Sequence, residues 1–197
     1  TGTRMEYMPV AGVANLLLND TIEDLMLEKM NSVEPPRFDE TEKQFAQEVA
    51  ATFPAGGNFS GEYGRLLSPD AMRSLAGVKP GMLFEGRLPA FKKEVTMPGS
   101  SDVGNVSWVT PTGQIMTTCH AIGTPGHSWQ TVAQSGMSIG HKGMLYAGKV
   151  LALSAAAFLQ DPALVAKARA EFEERLSATP FVQTVPESVK PPIPADA

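Results

Sequence analysis

The segment TRMEYM, Thr3 to Met8, alternates polar and apolar residues, which is the period of a strand with one buried face. The period then lengthens. NDTIEDLMLEKM places Ile22, Leu25, Met26 and Met30 on one side of a helix. Asn19 or Asp20 can cap it, and Glu23 and Asp24 suit its positive first turn. Pro35 and Pro36 cannot continue it. A second amphipathic helix reads from about Asp39 to Phe53, with Phe45, Val49 and Phe53 on one side. Between Pro54 and Gly99 the chain is glycine-rich loop, of the kind that often carries function. Within it SPDAMRSL predicts a short helix capped by Ser68, with Pro69 at its first position. NVSWV and QIMTTCHA read as strands around the turn TPTG. A long helix follows from about Ile139 to Leu159, with Met144, Ala147, Leu151, Ala155 and Phe158 spaced for one face. Asp161-Pro162 starts another that runs to about Leu176, and the closing VPESVKPPIPADA predicts extended chain. Strands mixed with helices predict an α/β layered domain.

Composition narrows the function classes. The 197 residues are 43% hydrophobic and 19% charged, enough for one domain with a core. A net charge of −5 with no basic stripe argues against a nucleic-acid partner. One cysteine excludes an internally disulfide-stapled scaffold. The apolar run Val150 to Leu159 is too short to span a bilayer and no signal peptide is visible, so the expectation is a cytoplasmic protein with no membrane partner. The chain begins with Thr in what reads as the middle of a strand, so its N-terminus is not expected to be a natural one.

The candidate chemistry lies in CHAIGTPGHSWQ, which holds two of the three histidines and the cysteine. His127 follows a predicted strand and a Gly-Thr-Pro-Gly turn, where ligands of layered α/β domains bind. A neutral imidazole is a common metal ligand, but one histidine is not a metal site, which needs three or four ligands. The alternative is a structural or surface histidine. Cys119 and His120 would point to opposite sides of a strand, so they are poorly placed to bind one ion together. Cys119 reads as a small core residue, or as a nucleophile if a histidine reaches it. His141, at the start of the long helix, could donate to a substrate oxygen or be an exposed first-turn residue. In PGSSD, Ser100 and Ser101 could donate to an anion and Asp102 orient a neighbour; the alternative is a plain loop ending in an Asx-type turn.

Taken in order, GSSDVGNVSWVTPTGQ, GTPGHSWQ and SIGHKGMLYAGKVLA resemble the C-terminal part of the aminobenzoyl-glutamate utilisation protein B-like amidohydrolases. These belong with the aminoacylase- and carboxypeptidase-type dinuclear metallopeptidases. PPRFDETEKQFAQE, DPALVAKARAEFEERL and TPFVQTVPESVKPP fit the same pattern. The resemblance implies the second half of a zinc-peptidase-like catalytic α/β domain, a central mixed sheet flanked by helices. Residues 1–12 would end a lid domain that mediates homodimerisation, and residues 13–197 would belong to the catalytic domain. It implies hydrolysis of the amide of a small N-acyl amino acid such as p-aminobenzoyl-glutamate. Two zinc or manganese ions would serve the complete enzyme, with His127 a metal ligand and Ser100, Ser101, Asp102 and His141 lining the substrate pocket.

The departures matter as much. No His-x-Asp motif occurs here, so the general base and the other metal ligands are expected from a part of the polypeptide preceding these residues. This chain alone is then expected to be inactive and to hold no metal tightly. The alternative is a non-catalytic interaction module or a degenerate homologue without the ions. A hydrolase using Cys119 is a third reading.

Overall fold

The computed structural model describes residues 2–7, 9–54, 67–88, 101–183 and 185–190. The elements among these residues are helices: α1 (Asp20–Ser32), α2 (Glu40–Ala50), α3 (Pro69–Ser74), α4 (Val103–Ser107), α5 (Trp129–Ser135), α6 (Ser138–Gln160) and α7 (Pro162–Ala178).

The local chemistry of most helix starts was readable in the sequence. Asn19 caps α1 by accepting from the Ile22 N–H, and Ser68 caps α3 ahead of Pro69. Asp39 and Glu42 form a reciprocal capping box at α2. Asp161 accepts from the Ala163 N–H and starts α7, with Pro162 in the first turn.

The expected α/β architecture is not present. Among the described residues there is no strand, only an isolated parallel bridge between Leu18 and Thr112. Residues 3–7 are not assigned to a strand: Met5 is 89% exposed and Tyr7 82%, so the alternation buries neither of them among the described residues, and Met8 lies outside those. NVSWV falls largely in α4, because its polar side chains serve a different partner. Asn105 Oδ1 accepts from the Ala14 N–H at 2.8 Å and its amide donates to Gly12 O at 3.1 Å. Ser107 Oγ accepts from the Leu17 N–H at 2.8 Å, and Trp108 Nε1 donates to Asn15 O at 2.8 Å. QIMTTCHA is extended but is tied by side chains rather than by a ladder. Thr117 Oγ1 donates to Gly143 O at 3.1 Å and Thr118 Oγ1 to Phe84 O at 2.8 Å. Extended chain without successive N–H···O=C pairs is not a sheet.

The core forms where α1, α5 and α7 pack around α6. Phe38, Ala46, Leu83, Ala121 and Ile139 make one cluster, with Phe45 against it; Met30, Tyr146 and Val150 make another, with Val33 and Ile115 against it. Tyr146 Oη, Arg87 Nε and Arg87 Nη2 donate to Met30 O and Val33 O, which satisfies carbonyls at the end of α1. α6 does not bury the face its spacing suggests. Ile139, Gly143, Tyr146, Val150 and Ser154 are buried, while Met144 is 60% exposed and Leu151 45%. A helix apolar on both sides leaves that choice to its neighbours. By length and composition alone α6 is long and apolar enough to cross a bilayer, which the shorter run Val150 to Leu159 did not suggest. Lys142, within it, is held by Glu42.

Glu171 of α7 caps α1 from outside. Its carboxylate accepts from the Asp20 N–H at 2.6 Å, the Thr21 N–H at 2.9 Å and the Thr21 hydroxyl at 2.7 Å, and pairs with Arg175 at 2.9 Å. Burial raises its pKa; the Thr21 and Asp20 hydrogen bonds and the Arg175 charge outweigh that and hold it below its usual value. Glu171→Ala removes three acceptor contacts at a positive helix end and is expected to cost about 2 kcal/mol. Urea unfolding of the two proteins at pH 7 measures it.

Candidate functional site

His127 stands where the chain turns from the extended segment into α5. Its backbone has φ 54°, the one non-glycine residue with positive φ among those described. That left-handed conformation costs a non-glycine residue on the order of 1 kcal/mol or more, and it persists only if the surroundings fix it. They do. Ser128 Oγ and Thr131 Oγ1 donate to Pro125 O at 2.6 and 2.8 Å, and Thr124 Oγ1 donates to Ala121 O at 2.7 Å. Ser128 Oγ also accepts from the Thr131 N–H, which starts α5. Gly123, at φ 85°, makes the preceding bend against Pro80 and Phe53. A Cβ added at Gly126 would meet nothing within 4 Å among the described residues.

The His127 side chain is exposed, and no hydrogen bond from a described residue reaches its ring. It is therefore not packed in the interior, and its nitrogens are open to a partner. Ser101 and Asp102 lie at the start of α4. Ser101 Oγ accepts from the Val103 N–H at 3.3 Å and Ser101 O from the Gly104 N–H at 3.0 Å; Asp102 makes no side-chain cap. Ser100 lies outside the described residues. His141 is exposed in the first turn of α6.

The described clefts do not bring these groups together. One is lined by Asp20, Thr21, Glu171 and Arg175 among others, the second by Glu42, Phe45, Ser138 and Ile139 among others. Neither includes Ser101, Asp102, His127 or His141. Among the described residues, no group of three His, Cys, Asp or Glu side chains is placed to hold a metal ion. A structural or catalytic ion needs three or four ligands, so the described residues do not fit a complete metal site. Cys119 is half-buried with its sulfur 3.7 Å from Thr117 Oγ1, and a Cβ on Gly143 would meet that sulfur at 2.6 Å. His120 is exposed, with Nδ1 3.4 Å from Ala121 O.

Gln130 and Gln134 were not singled out in the sequence. Their i, i+4 spacing in SWQTVAQS puts both on one helix face, and both are buried. A pair of amides on the inward side of a short helix was the available signal.

Comparison with known proteins gives a class first: the chain is similar to part of a hydrolase. That relative is a subunit of the p-aminobenzoyl-glutamate hydrolase of Escherichia coli (strain K12), 29% identical over 206 aligned positions that cover 97% of this chain. The resemblance drawn from GSSDVGNVSWVTPTGQ and the neighbouring segments is thus found. The chain spans 40% of the length of that relative. No family profile matches the chain, and no solved structure matches it.

Proposed function

We propose that this chain is part of an amidohydrolase that cleaves the amide bond of a small N-acyl amino acid such as p-aminobenzoyl-glutamate. The similarity to a p-aminobenzoyl-glutamate hydrolase subunit across nearly the whole chain carries the reading. The open imidazole of His127, on a braced turn with strained backbone, supports it. Strain of that kind persists where a side chain has to be aimed.

In this reading His127 offers one imidazole nitrogen to a divalent ion, zinc or manganese, at a site completed by residues from elsewhere in a longer polypeptide. Ser100, Ser101, Asp102 and His141 contact the substrate. The hydroxyls of Ser100 and Ser101 donate to a carboxylate, and His141 donates from the positive end of α6. The general base lies outside this chain, which alone neither binds the ion tightly nor turns over substrate.

Release of p-aminobenzoate from p-aminobenzoyl-glutamate tests the reading. The product of the complete gene is expected to be active and the 197-residue chain inactive. His127→Ala in the complete product is expected to lower kcat/KM by about 100-fold or more, a loss beyond that usual for outer-shell partners of a metal ligand. His127→Gly should lose the same activity while leaving the melting temperature unchanged or slightly raised, because glycine accepts positive φ. A complete product that is inert, or as active with H127A as without it, sinks the reading in favour of a non-catalytic interaction module.

A further inference from the structure

We infer that Gln134 is the positioning residue of the 121–128 turn, fixing the direction in which His127 presents its imidazole. The inference rests on the reading of His127 above only for its effect on hydrolysis; the geometry stands without it.

Gln134 is wholly buried, and both ends of its carboxamide are hydrogen-bonded. Oε1 accepts from the Ala121 N–H at 2.8 Å. Nε2 donates to Thr124 Oγ1 at 3.0 Å and to Gln130 O at 3.1 Å. The Thr124 hydroxyl in turn donates to Ala121 O at 2.7 Å, which closes a ring of hydrogen bonds through Gln134, Thr124 and Ala121. Ala121 is itself buried in the core cluster with Ile139 and Phe38, so the entry to the turn is tied to the rigid interior. The far side is tied by Ser128 and Thr131 to Pro125 O. Residues 128, 131 and 134 are three apart, so the cap and one side of α5 together grip the turn at positions 121, 124 and 125. His127 contributes no hydrogen bond of its own to this brace.

An apolar residue of the same size at 134 would pack as well against the core. It would leave the Ala121 N–H without a partner in a buried place and free Thr124 to turn. The buried amide therefore serves the shape of the turn rather than the filling of the core. Within that turn, the conformation that needs outside support is the left-handed backbone of His127.

The test uses Gln134→Met, which keeps the volume and loses all three bonds, and Thr124→Val, a milder change that removes the two bonds of the Thr124 hydroxyl and keeps the branched shape. The readouts are the φ-dependent HN–Hα coupling and ring resonances of His127 by NMR, with His141 as internal reference, and kcat/KM of the complete gene product. Both variants are expected to move the His127 coupling away from its left-handed value while His141 holds still. Both are expected to lower kcat/KM by about 10- to 100-fold, the range for residues that orient a ligand from behind. A lower melting temperature with the His127 coupling and the activity per folded molecule unchanged overturns the inference. Should Gln134→Met not fold, Thr124→Val decides by the same signals. If His127→Ala leaves hydrolysis intact, the hydrolase reading fails and the NMR arm alone still decides the role of Gln134.

Discussion

Gly143→Ala is expected to destabilise the protein by about 2 kcal/mol, although alanine is the better helix former. Gly143 is buried in α6, where the extended segment before the His127 turn crosses it. An added Cβ would lie 2.2 Å from Thr118 O and 2.6 Å from Cys119 Sγ. A backbone oxygen cannot rotate out of the way, so helix and segment must part. That costs the Thr117 hydroxyl its bond to Gly143 O at 3.1 Å and opens the packing behind it. Overpacking of this kind typically costs about 1–3 kcal/mol and sometimes more, against a propensity gain of about 1 kcal/mol. Gly148 in the same helix provides the control, since a Cβ there meets nothing within 4 Å. Gly148→Ala should stabilise by about 0.5–1 kcal/mol. Urea midpoints of the pair measure both; equal shifts would mean that the crossing at Gly143 is not tight.

Glu42→Ala is expected to cost about 3 kcal/mol at neutral pH and to flatten the acid limb of the stability curve. Glu42 is buried, with a side chain only 7% exposed, and it works at two helix starts. It accepts from the Asp39 N–H at 2.8 Å to complete the cap of α2, and Oε2 pairs with Lys142 Nζ of α6 at 2.6 Å. Oε1 is buried without a full hydrogen bond, although the Ser138 hydroxyl at the start of α6 favours its charge. Removing the carboxylate leaves a capless N–H and a half-buried ammonium without its anion. Burial raises the pKa of Glu42; the hydrogen bonds of Lys142, Ser138 and the Asp39 N–H and the Lys142 charge outweigh it and place the group below its usual 4.5. A carboxyl depressed on folding contributes its stability fully above the unfolded value and loses it as pH falls through the folded one. The wild type should therefore lose stability below about pH 4.5, with Glu171 adding to the loss in the same direction. Glu42→Ala should lose less over that window. Denaturant midpoints between pH 7 and pH 3 measure this; parallel curves would remove Glu42 from the account.

The legible parts were those whose cause lies within a few residues. The caps at Asn19, Ser68 and Asp161 are side-chain oxygens beside the N–H groups they serve, and a proline at position 69 or 162 signals a first turn by its own ring. α6 was predicted within a residue of its ends because its flanks and its run of helix formers are local. The misread parts had causes elsewhere in the chain. Alternation at residues 3–7 has the form of a strand, but a strand also needs a ladder with another segment, and none is assigned there among the described residues. Asn105 and Ser107 were read as strand residues, whereas their side chains satisfy the backbone at residues 12–17, some ninety positions earlier.

The site divides the same way. The sequence pointed to His127 by residue type and by the glycines and proline around it. Its left-handed backbone and open ring are properties of the brace, and the buried amide of Gln134 that anchors the brace reads in the sequence as an ordinary polar residue of a short helix. By itself, then, the sequence determined where α1, α2, α3, α6 and α7 begin, which residue type could ligate, and the hydrolase that the chain resembles. Tertiary structure alone decided that the extended segments do not form a sheet, which face of α6 is buried, and how His127 is held. Capping and propensity act over one turn of chain, whereas strand pairing, the choice of buried face and a strained φ are fixed by atoms that meet only when distant segments pack.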